Sequence, residues 1–241
     1  MGLELMLGFG NKKKSSYGAQ LGVKNESAYP HHVLQMGLYN DVPAGEDFKG
    51  LQAGIISLVG QNLSGAQIGV LNGVDRGAVY GLQVGAVNAA NISGAQVGVL
   101  NLTTEIYGLQ IGGANVSFKF DKDQAIVRGA QVGAWNYAQD LAGGQAGLVN
   151  YVKEELDGLQ LGALNIAGDE FNGVQVGLVC YAANGNYLQL GLLTFRGGER
   201  DWYKKFSPII GFSSNGKKEE AKTEAEPPKE PPGSTKHGTD L

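Results

Sequence analysis

The feature that most restricts what this chain can fold into is a short repeat. Aligned on glutamine, the chain places Gln20, Gln35, Gln52, Gln67, Gln83, Gln96, Gln110, Gln131, Gln145, Gln160, Gln175 and Gln189 at spacings of 15, 17, 15, 16, 13, 14, 21, 14, 15, 15 and 14 residues. Glycine stands two positions after the glutamine in all 12 units and two before it in 10, with Val33 and Tyr187 as the exceptions. Asparagine stands five positions after it in 9 units, the departures being Ser57, Cys180 and Thr194. With h for an apolar residue, the unit reads G-h-Q-h-G-h-h-N. A repeat this short cannot bury a core alone, so its neighbours must complete it.

Apolar residues flank each glutamine, as in Leu82 and Val84 or Leu159 and Leu161. This period of two reads as a strand with its apolar flanks facing the core. Another apolar residue lies four positions before the glutamine in 9 units: Phe48, Leu63, Val79, Ile92, Ile106, Val127, Leu141, Leu156 and Phe171. Its parity differs from that of the flanks, and a turn between the two restores it. The pairs Ser64-Gly65, Ser93-Gly94, Asp157-Gly158 and Asn172-Gly173 supply the turn, because glycine accepts the positive φ that other residues resist. The first glycine is read as one corner and the asparagine as a second.

Units that repeat in one orientation stack most simply in parallel, and about 15 residues is too short for a helical crossover. The expected fold is all-β, a parallel β-solenoid of about 12 short repeats. Like residues then align along the stack. Gln52, Gln67, Gln83, Gln96, Gln110, Gln131, Gln145, Gln160 and Gln175 would bond one another, and Asn72, Asn88, Asn101, Asn136, Asn150 and Asn165 would bond backbone groups of the next coil. The residue before glutamine alternates Leu51, Ala66, Leu82, Ala95, Leu109, Ala130, until Gly144 breaks the pattern. That alternation suggests two units per coil, with large and small residues on facing walls. The 21-residue step between Gln110 and Gln131 places an insertion, Phe118 to Ala125, in an edge loop.

An antiparallel transmembrane β-barrel is the alternative, since alternating strands with small or polar lumen residues give a similar pattern. Tyr80, Tyr107, Tyr137 and Tyr151 are then either an aromatic girdle or strand-end packing. Against the barrel, antiparallel strands would point identical motifs in opposite directions.

Residues 1–17 read as an N-terminal strand or cap, 18–196 as the repeat, 197–212 as a C-terminal cap and 213–241 as a disordered tail rich in Lys, Glu and Pro. Trp202, Tyr203, Lys204 and Phe206 stand where the stack must stop, as cap residues or as a ligand-binding cluster.

Signs of catalytic chemistry are missing. No phosphate-binding loop, H-E-x-x-H or G-x-S-x-G occurs. The adjacent His31 and His32 lack a third ligand, and the lone Cys180 excludes an intrachain disulfide and a multi-cysteine zinc site, so no metal or cofactor is expected. Asp75, Glu105, Asp140, Glu154 and Asp169 read as solvated turn charges. Lys and Arg number 19 against 23 Asp and Glu, a net charge of −4 with no basic block, which argues against nucleic acid as a partner. No apolar run is long enough for a membrane-spanning helix.

Segments such as GLQVGAVNAANISGAQVGVLN (81–101) and GLQLGALNIAGDEFNGVQVGLVCYA (158–182), with the closing SPIIGF, resemble the bacterial surface-repeat proteins known from Leptospira. The likeness covers roughly residues 18–212 and implies an envelope or surface association, with no catalytic residue to carry over. The start of the chain departs from that pattern, because it lacks a secretion signal and by itself points to the cytoplasm. The expected function is a non-enzymatic structural or interaction scaffold with a protein or glycan partner. An envelope β-barrel and an enzyme with a site near the 118–125 insertion are the alternatives.

Overall fold

The computed structural model describes residues 4–13, 18–27, 31–118, 126–197 and 206–214. Every regular element in it is a strand: β1 (Glu4–Lys13), β2 (Gly18–Ser27), β3 (His31–Val42), β4 (Phe48–Val59), β5 (Leu63–Thr103), β6 (Ile106–Ser117), β7 (Ile126–Ala138), β8 (Asp140–Val152), β9 (Glu155–Ala167), β10 (Glu170–Ala182), β11 (Gly185–Arg196) and β12 (Phe206–Ser213). Each strand bonds the next in chain order. The 41-residue β5 carries three repeat units in one unbroken run.

Pairing is parallel from β1 to β11, with glutamine opposite glutamine at Gln20–Gln35, Gln35–Gln52, Gln52–Gln67, Gln96–Gln110 and onward to Gln175–Gln189. The fold is a parallel β-solenoid, and the antiparallel barrel is excluded. One repeat makes one coil, which corrects the expectation of two. The Leu and Ala that alternate before glutamine do not face each other across the core. They lie in one outward column, as Leu51 opposite Ala66 shows. The long step between Gln110 and Gln131 is absorbed outside the strands, since Ile106 still pairs with Val127 and Ser117 with Ala138. Of the insertion, Phe118 follows β6 and residues 119–125 lie outside the described residues.

The direction of the side chains reverses the sequence expectation. In β9, Leu156, Gln160, Asn165 and Ala167 are buried, while Leu159 and Leu161 are exposed. Numbering positions from the glutamine as 0, the interior holds −4, 0, +5 and +7, and the apolar flanks at −1 and +1 face outward. The −4 residue is buried because it shares the parity of the glutamine, not that of its apolar neighbours. The step from 0 to +5 is odd, so the chain turns near +3, the residue that the pairing skips between Gly112 and Ala114. The asparagine therefore lies inside the coil and is not itself the corner.

Two glycines explain why the interior is so narrow. Gly108, at −2, has φ +149°, and a Cβ there would lie 2.0 Å from the carbonyl oxygen of Gly94 in the coil beneath. Gly112, at +2, points inward, and its Cβ would meet the Gly98 oxygen at 2.6 Å and Asn101 Nδ2 at 2.8 Å. The space left is filled by amides that bond along the axis.

The ends depart from the repeat. β1 keeps its frame with Met6 in the glutamine row, since Met6 pairs with Gln20, Gly8 with Gly22 and Asn11 with Asn25. In β11 the apolar and glycine positions change places. Gly185 pairs with Phe171 and Tyr187 with Gly173, and the Tyr187 ring stacks on Phe171 at 5.4 Å. β12 then returns antiparallel along β11, so this sheet edge carries a reversed strand instead of another coil. Phe206 opens β12 with its ring 5.7 Å from Phe195, whereas Trp202, Tyr203 and Lys204, like the tail from 215 onward, lie outside the described residues.

Candidate functional site

Two amide columns run the length of the solenoid. Each glutamine from Gln35 to Gln189 donates its Nε2 to the Oε1 of the glutamine one coil earlier, at distances between 2.6 and 3.0 Å. The asparagines point the other way. Asn101 Nδ2 donates to Asn115 Oδ1 of the next coil at 2.8 Å and also to the Ile111 carbonyl at 3.0 Å. Asn72, Asn88, Asn136 and Asn150 repeat both bonds. Asn165 keeps the backbone bond to Val176 but meets Cys180 Sγ at 3.8 Å. The amide dipoles of the two columns oppose one another, so they largely cancel along the core while each chain of bonds polarises its own members.

The substituted rungs are weak points. Asn40 reaches Ser57 Oγ at only 3.4 Å, and the next residue in the column, Asn72, has a buried Oδ1 without a partner. Gln189 Oε1, where the glutamine column ends, is likewise unpartnered.

With the polar groups inside, the exterior is apolar. In the ten units from Gln52 to Gln189, the positions −1, +1, +3, +4 and +6 hold only Gly, Ala, Val, Leu, Ile and aromatic residues. None of these side chains is buried. The +3 corner forms a ridge whose most exposed members are Val99 at 68%, Leu148 at 65% and Leu192 at 65% relative exposure. Charges begin only beyond these columns, with Lys49, Arg128 and Asp157 at −3 and with Asp75, Lys153, Glu154 and Asp169 in the links. Sequence reading missed this surface because it assigned the apolar flanks to the core. Glycine on both sides of 10 of the 12 glutamines was the available signal, since a wall of glycine leaves an apolar core nothing to pack against.

Small residues notch the apolar exterior. In the +6 column Leu58 and Leu102 flank Gly73 and Ala89, and the dip between them opens a groove of about 650 Å³ that Thr103 and Phe118 also line. Its carboxylates are Asp41 and Asp75. Burial raises the pKa of Asp41 and the charge of Glu26 adds to the rise, while Lys24 opposes it. Among the described residues no group of three or more His, Cys, Asp or Glu is placed to hold a metal ion.

Asp140 corrects its reading as a solvated turn charge. It is 7% exposed, and its Oδ1 accepts the Glu155 N–H at 3.1 Å. Its Oδ2 is buried without a partner. Burial holds its carboxyl above the usual range, and the charge of Glu154 pushes the same way, against the Glu155 hydrogen bond and the charge of Lys153. Comparison of the chain with protein-family models, with curated proteins and with solved structures found no match.

Proposed function

We propose that this protein is a non-enzymatic scaffold at the cell envelope, a stiff rod whose outward apolar faces are its working surface. One observation carries the reading: ten consecutive coils present five outward columns without a charged residue, while their amides are turned inward. Soluble monomers rarely expose a continuous apolar patch beyond a few hundred Å², so a surface of this kind calls for a partner. Aliphatic columns offer few hydrogen-bonding groups for sugar hydroxyls, which favours an apolar partner over a glycan. The resemblance of the repeats to bacterial surface-repeat proteins supports the envelope.

The test separates surface from core. Replacing Leu148, Leu178 and Leu192 on the ridge by Ser should leave the melting temperature nearly unchanged and sharply lower the fluorescence of a dye that binds exposed apolar surface, such as anilinonaphthalene sulfonate. If the variant unfolds, these leucines are structural and the scaffold reading fails.

A further inference from the structure

Resting on that reading, we infer that the occupant of the apolar faces is the acyl region of a lipid bilayer, on which the solenoid lies with its axis in the membrane plane. The apolar surface is not one flat face. It runs from −1 and +1 around the +3 corner to +4 and +6, so two sheet faces meet at a convex ridge, and the ridge is where exposure is greatest. A second copy of the chain, packing flat sheet on flat sheet, would cover one face and leave the ridge and the other face in water. Fluid acyl chains cover a convex wedge on both sides.

The dimensions agree. Ten coils at about 4.8 Å give a length near 45–50 Å, and eight residues from −1 to +6 at about 3.3 Å each give a width near 25 Å, so the wedge exceeds about 1,000 Å². Its margins have the chemistry of a membrane interface. Tyr80 and Tyr107 stand at −3 on one side, in a column they share with Lys49, Arg128 and Asp157, and Tyr137, Tyr151 and Tyr181 stand at +6 on the other, with the charged links beyond. An aliphatic centre, a tyrosine margin and a charged flank is the order that the passage from hydrocarbon to water favours. The backbone permits it as well, because each coil bonds the coils on either side, and the wedge brings few stranded N–H or C=O groups into hydrocarbon. The −3 column and the links keep their charges, so the rod lies on the bilayer and does not cross it.

The experiment uses the full chain with Trp202→Phe, which leaves Trp135, at +4 on the wedge, as the single tryptophan. Mixed with phosphatidylcholine vesicles, the protein should float with them and remain bound at about 0.5 M salt, where surface charge effects are screened. Trp135 emission should shift to the blue and be quenched by lipids brominated on the acyl chain. Leu148→Glu, Leu178→Glu and Leu192→Glu together should lower the bound fraction at least about tenfold, while Gln61→Glu with Arg76→Glu, both exposed in the links away from the wedge, should not. Circular dichroism checks that each variant is folded.

A folded protein that does not float, with Trp135 unshifted, overturns the lipid assignment. If that protein is instead a dimer that the ridge substitutions dissolve, the faces are a self-association surface, so the scaffold reading stands and the lipid inference falls. If the ridge substitutions unfold the chain, both fall.

Discussion

Gln110 sits between two residues of its own kind, donating to Gln96 at 2.7 Å and accepting from Gln131 at 3.0 Å. Replacing it by leucine strands an acceptor below and a donor above in a site closed to water, at a cost of about 1–3 kcal/mol each. Gln110→Leu is therefore expected to destabilise by about 3 kcal/mol or more in urea unfolding. Leu148→Ser, on the ridge, should change stability by less than about 0.5 kcal/mol. The usual hierarchy of leucine inside and glutamine outside is inverted here, and this pair of measurements reads the inversion directly. Asp140 adds a pH dependence. Its folded carboxyl holds a proton more tightly than in the unfolded chain. Its contribution to stability is thus fully present below the unfolded value and is lost as pH rises through the folded one. Asp140→Asn should flatten that acid-side decline, measured as melting temperature between pH 3 and pH 7 (about the range over which carboxylates titrate).

At the scale of the element, a strand here is one rung of several columns, and a column is only as continuous as its worst member. Ser57 interrupts the asparagine column: Asn40 reaches it at 3.4 Å, and Asn72 Oδ1 has no donor. Ser57→Asn would supply both an oxygen for Asn40 and an N–H for Asn72, beside Gly54 and Gly69, which leave the space. Thermal unfolding should show a gain of about 1–2 kcal/mol. No gain would mean that the column does not act as a unit. The strands and their register were legible in the sequence, because Gln, Gly and Asn return at a nearly constant step. The face each strand turns inward was not. Alternation gives parity but not its sign, and both choices satisfy period two equally well.

Over the whole molecule, the solenoid is a one-dimensional stack, and its ends differ from its middle. β12 runs antiparallel on β11, and Gly211 lies so close to Gln189 Oε1 and Thr194 Oγ1 that a Cβ there would come within 2.8 and 2.7 Å of them. Removing residues 197–241 would leave the parallel edge of β11 open to another chain. The truncated protein is expected to associate end to end, with sedimentation coefficients that rise with concentration, whereas Gly211→Ala should weaken β12 docking without that growth.

What the chain determined by itself is the period, and with it the parallel stack. One motif in one orientation every 15 or so residues, too short for a helical return, admits few other arrangements. What only the tertiary structure decided is which side of the strand is the inside. Glycine at −2 and +2 lets successive coils close so tightly that the interior has room for amides bonding along the axis and for little else. That closure exists only when the coils are stacked, so no single unit records that its leucines are turned outward.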